Sequence, residues 1–252
     1  MRRTILLLAT MALTLLVASG VALAVTKIGG PGPNTLRGTN GADNLLGNGA
    51  NDVLYALGGT DNLLGGEGKD WVLGGERRPQ GGDKNLVGGA GNDGVQSGIG
   101  SDTVLGSSGN DLVTGDKGSD RAVVGGEGRD LIDGGTGSDR MLGEGGGDQI
   151  VDGPIGEGSK DAVLSGGDGD DFFFADHVPA VKDIVSCGGG FDRVLADSKD
   201  VVAYDCEKVL VVHGSKAEVR QQEDAFFESL PPATREFFDT FFEEQLAPFP
   251  NG

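Results

Sequence analysis

Between residues 38 and 174 one apolar side chain returns every nine residues, and the positions between are mostly glycine and polar. The stretch 125–151 shows the spacing plainly: GGEGRDLID, GGTGSDRML and GEGGGDQIV place Ile132, Met141 and Ile150 at the eighth position. Leu45, Leu54, Leu63 and Val72 hold that place upstream, then Val95, Val104, Val113 and Ala122; Val163 and Phe173 hold it downstream. A period of nine matches neither a helical face, which repeats near 3.6, nor a long alternating strand. It matches six residues of turn followed by three of extended chain whose middle residue points inward. Two nonamers then close one coil. The pattern predicts an all-β fold, a parallel β-solenoid with a thin aliphatic core. Extra residues at Val124 and Ser165, and a four-residue insertion after Val151, interrupt the phase without abolishing it.

The polar positions keep the same clock. The sixth residue of each nonamer is aspartate: Asp43, Asp52, Asp61, Asp70, Asp93, Asp102, Asp111, Asp120, Asp130, Asp139, Asp148, Asp161 and Asp171. Glycines at positions one, two and four permit the positive φ and close backbone approach that a tight turn needs. Stacked coils put aspartates of alternate repeats above one another. Two carboxylates about 5 Å apart repel by roughly 1 kcal/mol in water and about 3 kcal/mol at an intermediate dielectric. Repeated along both edges, that repulsion opposes a fold with little apolar area. A hard divalent cation between turns reverses its sign, and calcium takes six to eight oxygens from carboxylates and backbone carbonyls. Aspartate is also a common turn former, and a metal-free solenoid would use it so. That alternative accounts for aspartate in turns, but not for its fixed place beside the glycines.

Composition sharpens this picture. Of 252 residues 48 are glycine and 37% are hydrophobic, too little apolar material for a thick core. The formal charge of −19 excludes nucleic acid and anionic membrane surfaces as natural partners and favours cations.

GGEGKDWVL, GGAGNDGVQ, GGEGRDLID, GGTGSDRML and GGDGDDFFF fit GGxGxDxUx, where U is a large apolar residue. In these motifs the chain resembles the repeats-in-toxin, or haemolysin-type, calcium-binding family over roughly residues 38–174. The resemblance implies a calcium-loaded parallel β-roll with each ion held between neighbouring turns. It makes the thirteen aspartates ligand candidates, with turn-glycine carbonyls completing each shell. Asp52 and Asp161 depart from the pattern, because Ala50 and Ser159 replace the fourth-position glycine. So does GGERRPQGGDKNLV after Leu73: aligning Leu86 with position eight puts Lys84 in the aspartate slot and Arg77 and Arg78 in extra residues. A gap in the ion row is expected there.

The flanks read differently. Residues 1–24 combine Arg2 and Arg3, an apolar run from Ile5 to Val17 and Ala22-Leu23-Ala24, the layout of a cleavable signal peptide. Residues 25–37 are expected to be a linker. Residues 175–212 form a closing module, in which Asp183 and Asp192 keep the turn-then-apolar logic. Cys187 and Cys206 are the only cysteines, and in an exported chain they are expected to pair as a disulfide. The segment around them resembles the closing module of other secreted bacterial calcium-binding repeat proteins. All eleven phenylalanines lie at or after Phe172. The tail, 213–252, predicts two helices, roughly Ala217–Ser229 and Pro232–Leu246, the second with Phe237, Phe238, Phe241, Phe242 and Leu246 on one face. A cap over the last coil is the expected role.

No HExxH, GxSxG or P-loop appears, and the repeat accounts for the carboxylate pairs. His177 and His213 read as ordinary surface or cap residues. The expectation is a non-enzymatic, secreted calcium-binding protein with a structural, adhesive or cell-surface role. Its partners are calcium ions and an extracellular or cell-surface protein or glycan, with no membrane span once the signal is cleaved. The alternative is an accessory or secretion module of an extracellular hydrolase or toxin.

Overall fold

The structure, a computed structural model, describes residues 24–75, 85–152, 162–177 and 179–228. The chain winds into two ten-stranded parallel sheets, and successive strands alternate between them except for the short Ile99–Gly100 and Lys117–Gly118, which pair with each other. One sheet is built mainly of six-residue strands such as Asn44–Gly49, Asn62–Glu67, Asn85–Ala90 and Thr103–Ser108. The other uses three or four residues, as in Val53–Tyr55, Trp71–Leu73 and Phe172–Ala175. The register advances by one coil from strand to strand: Leu45 pairs with Leu63, and Leu54 with Val72. This is the expected β-roll.

The core is a single file of side chains between the sheets. Leu45, Leu54, Leu63, Val72, Leu86, Val95, Val104, Val113, Ile132, Met141, Ile150 and Phe173 are all buried in it. Two eighth-position expectations are corrected. Thr103 and Val104 pair with Ala122 and Val123, so Val123 and not Ala122 enters the core. Arg140 and Met141 pair with Val163 and Leu164, so Leu164 is buried and Val163 is exposed. In both coils the extra residue is taken up before the core residue rather than after it. The bulkier side chain goes inside, which at about 0.8 kcal/mol per buried CH₂ favours this register.

Residues 25–37, expected as a linker, carry Thr26–Ile28 and Thr35–Arg37, which pair with Asn44–Gly49 and Val53–Tyr55 and begin the roll. The closing region continues it through Ile184–Gly189, Arg193–Ala196, Val201–Val202 and Lys208–Val211. Cys187 and Cys206 form a disulfide there, with Cα atoms 5.2 Å apart. The helix Lys216–Glu228 follows. Its Val219 and Phe226 pack with Phe172, Leu195 and Val212 in a second apolar cluster, separate from the axial core. The second expected helix lies outside the described residues. Among the described residues no helix is long and apolar enough to cross a membrane.

Candidate metal centre

The sixth-position aspartates sit where the turn passes into the next strand, and Asp43, Asp52, Asp61, Asp70, Asp93, Asp111, Asp120, Asp130, Asp139, Asp148 and Asp171 each use one carboxylate oxygen to hold the coil before it. On one edge the N–H of Asn34 donates to Asp52 Oδ1, Asp52 to Asp70 and Asp70 to Asp93, each at 2.7 Å. Asp93 donates to Asp111 and Asp111 to Asp130 at 2.8 Å, and Asp130 to Asp148 at 2.9 Å. Asp148 donates to Asp171 at 2.8 Å and Asp171 to Asp192 at 2.9 Å, and the row closes with Asp192 donating to Glu207 at 2.8 Å. The opposite edge repeats the device from Val25 to Asp43 and Asp43 to Asp61, and again from Asp102 to Asp120 and Asp120 to Asp139.

The second carboxylate oxygen has a different situation. Oδ2 of Asp52, Asp70, Asp93, Asp111, Asp120, Asp130, Asp139, Asp148 and Asp171 is buried without a hydrogen-bond donor. A neutral buried acceptor left so costs about 1–3 kcal/mol, and a charged one more. Position-one glycines make the space in front of these oxygens. A Cβ on Gly47 would overlap both Asp52 Oδ2 and the carbonyl oxygen of Gly65, and one on Gly143 would overlap Asp148 Oδ2 and the Gly166 carbonyl. The row therefore presents buried anionic oxygens beside carbonyl oxygens in gaps that only glycine leaves open. This donor set is all oxygen, which suits a hard divalent cation such as calcium.

Electrostatics agrees. Burial, above all, pushes the carboxyls up: Asp93, Asp120, Asp148 and Asp171 to about 7, Asp130 to about 8, and Asp70, Asp111 and Asp139 to about 6. The N–H bond from the previous coil opposes this shift. Neighbouring carboxylates in the row reinforce it at Asp93, Asp120, Asp130 and Asp171. Without a cation these groups are poised to take protons instead.

The structure thus places Asp43, Asp52, Asp61, Asp70, Asp93, Asp102, Asp111, Asp120, Asp130, Asp139, Asp148 and Asp171 in two buried rows. Asp161 and Lys84 lie outside the described residues. Ala162 takes the aspartate's place in the register near Asp161, since its N–H donates to Asp183 Oδ1 at 2.8 Å. Asp183 and Asp192 extend the two rows, with Asp183 donating in turn to Asp200 at 2.9 Å. Their D-x-V pattern gave the signal. His177 is corrected: it is buried, with Asp152 and Asp183 around it, and is not a surface residue. His213 is exposed.

The family model for the RTX calcium-binding nonapeptide repeat (4 copies) matches residues 28–63, 47–76, 87–122, 122–150 and 158–176, together more than half of the 252-residue chain. No curated protein matches the chain.

Proposed function

The chain belongs to the RTX calcium-binding nonapeptide repeat family, and we propose that it is a secreted protein whose β-roll folds on meeting extracellular calcium and then serves a structural, adhesive or cell-surface role. The observation that carries the reading is the double row of buried Oδ2 atoms without donors, each beside a glycine-made gap. The ligands are the sixth-position aspartates from Asp43 to Asp171, with turn-glycine carbonyls. Bound calcium supplies the positive charge that turns stacked, buried carboxylates from mutually repelling groups into bridges between coils. The residues do the rest: Oδ1 wires each coil to its neighbour, glycine keeps the gap open, and the aliphatic file excludes water behind it.

Export is supported by the disulfide, which persists in oxidising compartments. A low cytosolic calcium level would keep the roll unfolded until it leaves the cell. Extracellular calcium modules bind at roughly 10⁻⁴ to 10⁻³ M. Titrating chelated full-length protein with calcium, followed by circular dichroism, should give a cooperative gain of strand signal in that range. Full strand content in chelator at neutral pH would overturn the proposal.

A further inference from the structure

One cluster of ligating side chains lies outside the repeat rows' all-oxygen pattern. Asp152 follows the strand Gln149–Val151, His177 follows Phe172–Ala175, and Asp183 precedes Ile184–Gly189. All three are buried, and their ligand atoms lie within 4.8 Å of one another. They meet near the coil where Ala162 replaces the aspartate of the row.

The ring of His177 is fixed by its neighbours. Nε2 is 2.9 Å from the carbonyl oxygen of Asp152, which only accepts, so Nε2 carries a hydrogen and donates it. Nδ1 faces Asp183 Oδ2 at 3.3 Å, and neither atom makes a hydrogen bond. In the neutral ring that opposes a lone pair to a carboxylate in a dry site, so either a proton on Nδ1 or a metal ion sits between them. A charge-assisted N–H···O contact closes to about 2.7–2.9 Å, shorter than the separation found. Two ligands about 2.0–2.1 Å from one tetrahedral ion stand about 3.3–3.4 Å apart, which matches it. Asp152 brings a second carboxylate to the cluster, with one ligand atom of each residue within 4.8 Å of the others. A ligating imidazole characteristically donates its other N–H to a carbonyl or carboxylate, and here it does so to Asp152. Asp183 is braced in the same way, since its Oδ1 accepts from Ala162.

We propose that Asp152, His177 and Asp183 form a structural site for a borderline divalent transition ion of the zinc type, which shares Asp183 with the end of one aspartate row but differs from the calcium sites by its imidazole. Two carboxylates balance the ion's charge. The imidazole selects against calcium, which takes oxygen ligands, and for zinc and its neighbours. The ion ties together the strand before the insertion, the coil after it and the closing module, at the place where the calcium row lacks a carboxylate. Complete burial gives it a holding role.

The competing occupant is a proton. Burial lowers the basicity of His177, but Asp183 and Asp152 outweigh it and hold the imidazole up to about 9. The experiment separates the two. Full-length protein is saturated with millimolar calcium, exposed to zinc chloride and passed through a desalting column in the same calcium buffer. Stoichiometric zinc should remain on wild type and on His213→Gln, and be lost from His177→Gln and Asp152→Asn. Cobalt(II) chloride in place of zinc should give visible ligand-field bands of a four-coordinate site in wild type and His213→Gln, and none in His177→Gln or Asp152→Asn. The chain has two histidines, so ¹⁵N-histidine NMR of wild type reads the ring directly whatever the variants do. Zinc should move the His177 Nδ1 resonance to a metal-bound position. Wild type retaining no more zinc than His177→Gln, or both His177 nitrogens staying protonated in excess zinc, would overturn the proposal while leaving calcium-driven folding intact.

Discussion

The backbone N–H of Asp130 donates to Oδ1 of Asp148, one coil on, at 2.9 Å, while Oδ2 of the same carboxylate is buried without a donor. One side chain therefore does two jobs, wiring the turn and presenting charge. Asparagine keeps the first and removes the second. Asp148→Asn should raise the calcium needed for folding while leaving thermal stability at saturating calcium little changed. Asp148→Ala should raise the calcium requirement as well, and also lose about 1–3 kcal/mol by stranding the Asp130 N–H. Calcium titrations and melts of the two variants check this. An unchanged calcium midpoint in Asp148→Asn would remove Oδ2 from the ligand set.

On the proposed ligand set, protons and calcium compete for the same oxygens. Asp93, Asp120, Asp148 and Asp171 titrate near 7 in the folded, ion-free chain, and Asp130 near 8, against an ordinary value of 3.8. A carboxyl raised on folding binds more protons folded than unfolded. Its contribution is therefore fully favourable below the ordinary value and is lost as pH rises through the folded one. In chelator, acidification from pH 8 towards pH 5 should increase strand content. In calcium, the same change should raise the calcium midpoint. Circular dichroism across that pH range tests both, and an ion-free roll that gains stability with rising pH would contradict the buried-carboxylate account.

The nine-residue spacing was enough to place Leu45, Val95 or Ile150 in the core, because a coil with one inward side chain per turn leaves no other solution. It failed at Ala122 and Val163. Both stand beside an inserted residue, and the spacing alone cannot say on which side of the core residue an insertion is absorbed. Burial of Val123 and Leu164 decides it, and that is a packing energy rather than a pattern. Pairing of Asp130 with Asp148 and of Asp120 with Asp139 was legible, since every second nonamer stacks. The His177 cluster was not. Asp152 and His177 stand 25 residues apart and obey no period, so only the closing of the coils brings them together.

The Cys187–Cys206 bridge closes 19 positions of chain at the end of the roll. Cross-linking a loop of that size contributes roughly 3 kcal/mol by restricting the unfolded chain. Cys187→Ser with Cys206→Ser should lower the melting temperature in saturating calcium without changing the circular dichroism of the folded state. Mass spectrometry of the native protein should show the two-hydrogen deficit of one disulfide; two freely alkylated thiols would contradict the bridge.

Ala50 and Gly91 both hold the fourth turn position, and they predict opposite responses to exchange. Ala50 has φ of 69°, in the left-handed region, while Gly91 has φ of 136°. An alanine held left-handed costs about 1–2 kcal/mol, and the extra freedom of an unfolded glycine returns about 0.5–1 kcal/mol of that. Ala50→Gly should therefore stabilise the calcium-loaded roll by up to about 1 kcal/mol. At Gly91 the added Cβ would overlap the carbonyl oxygen of Gly68 in the adjacent coil. All the atoms it would meet are backbone atoms of Gly68, so no side chain can move to relieve the clash, and the two coils must part. Gly91→Ala should destabilise by about 3 kcal/mol or more, combining backbone strain with overpacking. Because the same turns frame the aspartates, Gly91→Ala should also raise the calcium midpoint, and Ala50→Gly should lower it or leave it unchanged. Denaturant melts at saturating calcium give the first pair of values and calcium titrations the second. If Gly91→Ala melts like wild type, coil stacking does not depend on bare backbone at the fourth position, and glycine there must be explained by the turn alone.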